Sequence, residues 1–355
     1  MDKLLSDKTA GFDPANTLPN TADAESGAPA PAEEFDDSLL DGEPKALVED
    51  AAVLISARGD RDGNGISDVM FVWTGNTCAH GYWMNGTSEW WSANAWWVSP
   101  EWDNLGSYDM SGDGKADAVM FGNVTTDGGI KAAYIGYYQD GDDANGWVTI
   151  GYLENWDNIA WQNKVGNLTG SESGANSIVW YAPELYALGV WTEGTENWVG
   201  IEAGFGGDAW NLAGCGDFDG DGKDSILMQY NGCQYYFADL DGTTGSLGDS
   251  AWYGCEVRAI GDFAGDGADD IVLFHEETGA MYMLQDGNAD DWKSIGQLDP
   301  TDWFIAGCGD YNGDGTDDLL VRQYSTGMLG YYSDGDQSQW NVMGYGVDMD
   351  WTVIA

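Results

Sequence analysis

The chain has 355 residues, 43% of them apolar and 13% aromatic, enough to build a sizeable core. Its formal net charge is −49, with 12 Lys and Arg against 61 Asp and Glu. A surface this acidic repels phosphate backbones and anionic lipid heads, which argues against nucleic-acid and membrane partners and points towards cations.

Residues 1–50 read as an acidic, Pro/Ala-rich leader (TADAESGAPAPAEEFDDSLLDGEPK) that cannot bury enough apolar surface to offset its ordering entropy. We expect it to be disordered, with one folded domain over 51–355. No basic region followed by an apolar stretch opens the chain, and no run of about 18–20 apolar residues occurs. The five cysteines, Cys78, Cys215, Cys233, Cys255 and Cys308, form no CxxC or Cys/His cluster that would suggest zinc. Cys215 and Cys308 share the phrase GCGD and read as small buried strand residues; Cys233 and Cys255 fall on neighbouring predicted strands where a disulfide is conceivable.

From residue 53 onward one sentence recurs. An apolar run such as WFIAGCGD (303–310) precedes an acidic loop, and a second apolar run such as DLLVRQY (318–324) follows it. A turn leads to a third run, MLGYYSDG (328–335), and a fourth begins at a tryptophan, WNVMGYG (340–346). The loops start at residues 60, 109, 167, 217, 262 and 310, spaced by 49, 58, 50, 45 and 48. Four short strands per unit of that length predict an all-β fold, a β-propeller of six four-stranded antiparallel blades, or seven. The C-terminal WTVIA repeats the start of DWFIA, and VLISARGD (53–60) is a further candidate first strand, so one copy could close the ring. Tryptophans recur near a spacing of eleven, as in Trp292/Trp303 and Trp340/Trp351, and are expected to pack between blades.

The acidic loops carry the chemistry. Counting from the first loop residue, oxygen-bearing side chains fall at positions 1, 3, 5 and 9. In the first loop these are Asp60, Asp62, Asn64 and Asp68, and in the second Asp109, Ser111, Asp113 and Asp117. The fourth has Asp217, Asp219 and Asp221, but Ser225 at position 9 with Asp224 beside it. The fifth has Asp262, Asp266 and Asp270, with Ala264 at position 3. The sixth has Asp310, Asn312, Asp314 and Asp318. The third loop, Asn167–Gly174, has lost the carboxylates and gained length, and is expected to hold no ion.

Calcium takes six to eight oxygens in irregular geometry, and a dication turns carboxylate repulsion into attraction. Magnesium demands stricter octahedral geometry, and zinc prefers Cys and His. Asp/Gly-rich loops are also good turns in their own right, but several copies at a blade-like period point to calcium, with four or five ions. Position 12 is apolar, as Val321 and Phe121 show, and the flanks are strand-like, unlike an EF-hand.

GDFDGDGKDSILM and GDYNGDGTDDLLV resemble the FG-GAP/VCBS-type repeat of integrin α-chain propellers, bacterial surface adhesins and some fungal lectins. The resemblance covers about 300 residues, failing in the third loop and the leader. It implies a calcium-dependent propeller acting in binding or adhesion, with the Asp, Asn and Ser positions named above as ligands.

An enzyme is not expected. His80 and His275 are the only histidines and neither adjoins a nucleophile motif; a polysaccharide lyase on a propeller scaffold is the catalytic alternative. The expected role is extracellular or cell-surface binding of a protein or glycan, with a calcium-dependent lectin as the alternative. Trp83, Trp90, Trp96 and Trp97 exceed the needs of the blade pattern and are candidate sugar contacts, although filling a blade interface or covering the first blade is the reading preferred for them. Arg58-Gly59-Asp60 spells an integrin-type tripeptide, but Asp60 is already claimed by the first loop.

Overall fold

The computed structural model describes residues 59–73, 80–91, 102–125, 131–142, 145–154, 161–171, 173–345 and 351–354. The expected leader over 1–50, the candidate first strand at 53–58, Cys78, Trp96 and Trp97 lie outside the described residues.

The strands in chain order are β1 (Val69–Trp73), β2 (His80–Met84), β3 (Glu89–Trp91), β4 (Trp102–Tyr108), β5 (Asp117–Thr125), β6 (Lys131–Tyr138) and β7 (Trp147–Glu154). Then come β8 (Gln162–Gly166), β9 (Ser177–Ala182), β10 (Ala187–Trp191), β11 (Trp198–Gly200), β12 (Trp210–Gly216), β13 (Ser225–Tyr230), β14 (Gln234–Ala238) and β15 (Thr244–Ser246). The last are β16 (Cys255–Gly261), β17 (Asp270–His275), β18 (Ala280–Leu284), β19 (Trp292–Gln297), β20 (Trp303–Gly309), β21 (Asp318–Gln323), β22 (Leu329–Tyr332), β23 (Trp340–Gly344) and β24 (Trp351–Ile354).

The fold is an all-β propeller of four-stranded antiparallel blades. Five blades consist of four consecutive strands each: β4–β7, β8–β11, β12–β15, β16–β19 and β20–β23. The remaining sheet is composite, in the order β24-β1-β2-β3. Among the described residues the expected six blades, or seven, are therefore corrected to five blades of consecutive strands plus this composite four-stranded sheet. The physical reason is that β24 pairs with β1, Phe71 opposite Val353, so the C-terminal copy of a first strand serves the N-terminal strands instead of opening a further blade.

The second strand of each unit reads as an unbroken apolar run, because each sheet is covered on both faces. β9 is buried at all six positions, and β17 and β21 at five of six. Burying each such side chain contributes about 1.5–3 kcal/mol. Outer strands are more exposed than the inner ones, as in β19, whose edge carries Lys293 and so discourages pairing with another chain.

Six apolar clusters join neighbouring sheets around the ring. Met70 and Tyr82 meet Met120, Val119 meets Trp180, and Val179 meets Met228. Leu227 then clusters with Leu273, Val272 with Leu319, and Leu320 with Phe71, which returns to the composite sheet. Trp198, Trp210, Trp303 and Trp340 pack against these clusters as expected, whereas Trp292 is 49% exposed. Cys215, Cys233 and Cys255 are buried free thiols, so Cys233 and Cys255 are not bridged, and Cys308 is buried with its Sγ 3.2 Å from the Ile260 carbonyl.

Candidate metal centres

Every acidic loop joins the first strand of a sheet to its second, or in the composite sheet precedes β1. Positions 4 and 6 are glycines with positive φ, for example Gly313 at 77° and Gly315 at 92°. That conformation folds the loop back so that the first carboxylate faces the amides behind it. Asp310 Oδ1 accepts from Gly313 N–H at 2.6 Å and Asp314 N–H at 3.2 Å, while its Oδ2 accepts from Gly315 N–H at 2.9 Å. Asp60, Asp109 and Asp262 accept from the same three loop positions. The Asp60 carboxylate is thus turned into its own loop.

The ninth position is the buried one. Asp68, Asp117, Asp270 and Asp318 are all at most 1% exposed. Each accepts the backbone N–H of a residue held in the left-handed conformation after the third strand: Asn85, Asp140, Asp286 and Asp334, respectively. Burial pushes Asp68, Asp117 and Asp318 up to about 7 and Asp270 up to about 6, with neighbouring loop aspartates adding to the shift. Asp270 Oδ2 is buried with no hydrogen-bond partner.

In the first loop, oxygens of Asp60, Asp62 and Asp68 lie within 4.8 Å of one another, and in the fourth so do those of Asp217, Asp219 and Asp221. Oxygens that close can all reach one ion at about 2.3–2.6 Å. Among the described residues, the carboxylates of the second, fifth and sixth loops do not converge in this way. There Ser111 Oγ donates to Asp109, Asn312 Nδ2 donates to Asp318, and Thr316 Oγ1 contacts both Asp314 and Asp334.

Three sets of residues around the loops escaped the sequence reading. The first is position 2, where Met110, Leu168, Phe218, Phe263 and Tyr311 are buried at an inter-sheet cluster and anchor the loop. In the first loop Arg61 stands there instead, its guanidinium 5.5 Å from the Tyr82 ring centroid. The second is position 8. Its N–H donates to the position-1 carbonyl of the preceding loop: Ala116 to Asp60, Asn176 to Asp109, Asp224 to Asn167, Asp269 to Asp217, Asp317 to Asp262 and Ser67 to Asp310, at 2.6–3.0 Å. These six bonds run head to tail and close on themselves. Asp224, Asp269 and Asp317 also accept the position-1 N–H of that preceding loop, at 2.8–3.0 Å. Asp224 is therefore an inter-loop clamp. The third set is the left-handed Asn and Asp residues, signalled only by the recurring pairs Asn85-Gly86, Asp140-Gly141, Asp286-Gly287 and Asp334-Gly335.

Of the surplus tryptophans, Trp83 is 7% exposed and stacks edge-on against Phe71 at 5.1 Å, a core position. Trp90 lies on β3, and its side chain is outside the described residues. His80 is 3% exposed, its Nε2 3.2 Å from Asn104 Nδ2, and burial holds it well below the usual histidine range, near 3. No helix among the described residues is long and apolar enough to cross a membrane.

No protein-family profile matches the chain, and no curated protein does. Among solved structures, one match is the crystal structure of the V. cholerae biofilm matrix protein Bap1, 17% identical with a TM-score of 0.30. The match covers 67% of this chain and 39% of that one, so the chain spans well under two thirds of that protein's length.

Proposed function

We propose that the loops bind calcium and that the protein is a non-catalytic binding module acting outside the cell on a protein or glycan partner. The observation that carries the metal reading is the first loop. Three carboxylates converge within 4.8 Å there, and one of them, Asp68, is 1% exposed. Gathering like charges around a buried carboxylate is unfavourable unless a cation joins them. The partnerless Asp270 Oδ2 in the fifth loop supports the same reading. Asp, Asn, Ser and main-chain oxygens as the donor set favour calcium over zinc. The FG-GAP/VCBS-type pattern of the loops agrees with a calcium-dependent propeller, with four or five ions.

The binding role is supported by the acidic surface and by the burial of His80, which removes one of the two histidines from any accessible site. Low-affinity calcium loops, with dissociation constants of about 10⁻⁴–10⁻³ M, suit an extracellular setting. Calorimetric titration of chelator-treated protein tests the metal reading: four or five calcium ions are expected per chain, and no heat beyond dilution contradicts it. A screen against immobilised glycans and matrix proteins, with and without calcium, tests the binding role.

A further inference from the structure

The third loop departs most from the repeat, and its neighbour, the fourth, lacks the carboxylate at position 9. A cavity of about 430 Å³ lies where they meet. One wall is neutral, formed by Leu168 and Thr169 of the third loop. The other is the fourth loop, with Asp219, Asp221 and Lys223, and the turn after β14 adds Asp239, Leu240 and Asp241. Gly170 makes room for the Lys223 stem: a Cβ there would stand 2.5 Å from Lys223 Cγ.

The fourth loop also lacks a ligand that other loops have. Asp217, Asp219 and Asp221 converge, but position 9 is Ser225, whose hydroxyl donates to Asp239 Oδ1 at 2.5 Å. The adjacent Asp224 is engaged by Asn167 N–H. A calcium ion held by the three aspartates therefore has fewer protein oxygens than it requires, and Asp219, Asp221 and Ser225 all line the cavity.

We propose that this cavity binds a neutral sugar, whose adjacent hydroxyls complete the coordination of a calcium ion at Asp217, Asp219 and Asp221. The inference rests on the calcium reading of the loops. The volume falls within the range of small-ligand sites, about 300–1,000 Å³. Hydroxyls can donate to Asp239 and Asp241 and accept from Lys223, whose exposed ammonium lies 3.5 Å from Asp221 Oδ2, while Leu240 covers the C–H face of a ring. Five carboxylates against one ammonium disfavour a sulfated or carboxylated sugar.

The test uses the full chain on an array of neutral, sulfated and sialylated oligosaccharides, in calcium and in chelator. Three proteins are compared: wild type, Thr169→Trp, which fills the cavity from its neutral wall, and Asp219→Ala, which weakens the cation site. Calcium-dependent capture of neutral glycans is expected, reduced at least tenfold in both variants, while Thr169→Trp keeps the calcium-induced rise in melting temperature. If wild type shows that rise but captures no neutral glycan, or if Thr169→Trp binds like wild type, the sugar inference is overturned and the calcium reading stands. Retention of anionic glycans alone also overturns it. If calcium does not raise the melting temperature at all, both readings fall.

Discussion

The third and sixth loops occupy equivalent places in the ring and differ in almost everything acidic. The sixth presents Asp310, Asp314 and Asp318; the third presents Asn167, Ser171 and Ser177. Yet the third loop keeps its place. Asn176 N–H still reaches Asp109 carbonyl, Asn167 carbonyl still receives Asp224 N–H, and Leu168 is still buried at position 2. Ser177 Oγ even takes the role of the ninth-position carboxylate, accepting Glu193 N–H at 3.1 Å. The third loop thus holds its place through main-chain bonds and its apolar anchor, and it does not need carboxylates at positions 1, 5 and 9. Their presence in the other loops asks for a different cause, and a bound cation supplies one.

The largest effect that separates the two loops should come from position 9. Asp318→Ala removes the acceptor for Tyr311 N–H, Asn312 Nδ2 and Asp334 N–H in a buried site. It should cost about 2–4 kcal/mol in denaturant unfolding, and more in calcium than in chelator. Ser177→Ala, its counterpart in the third loop, should cost about 0.5–1.5 kcal/mol with no dependence on calcium.

Next in size is Asp317→Ala, which cuts a clamp between the fifth and sixth loops, since Asp317 accepts Asp262 N–H at 3.0 Å and is 7% exposed. About 1–3 kcal/mol should be lost equally with calcium and with chelator. An ion-dependent loss would mean that position 8 also ligates.

A smaller, graded effect should follow pH. The folded-state values of Asp68, Asp117, Asp270 and Asp318 are raised from 3.8 to about 6 or 7, so the folded chain binds more protons than the unfolded one between those values. Ion-free stability should therefore be highest below about pH 4 and fall as pH rises through 7. Calcium, which competes with those protons, should flatten or reverse the slope in chemical-denaturation curves measured across the window.

The smallest effect is expected from Thr169→Asp. It returns a carboxylate to position 3 of the third loop, but position 9 remains Ser177 and the loop remains long. The ion count by native mass spectrometry should not change.

The blade grammar was legible because each sheet is buried on both faces: SILM, DIVLF and DLLV stand out as unbroken apolar runs next to acidic loops. The loop glycines were legible because only a positive φ folds nine residues so tightly. The number of blades was not. WTVIA and VLISARGD both look like a spare first strand that could close the ring, and only the pairing of β24 with β1 shows that WTVIA completes the N-terminal sheet. The clamp residues Asp224, Asp269 and Asp317 sit in an acidic run beside candidate ligands, and charge alone does not distinguish them. Their role depends on a loop about fifty residues away. The left-handed Asp residues were hidden by uneven spacing, since Asp140 follows Asp117 by 23 positions and Asp334 follows Asp318 by 16.

Thermal unfolding of the full chain in millimolar calcium and in excess chelator is the most direct test. A ligand that binds only the folded state must raise its stability by mass action, so calcium should lift the melting temperature, and Asp60→Ala should diminish the lift. Identical melting temperatures in the two buffers would mean that the aspartate loops are turns alone and that calcium has no place in the ring.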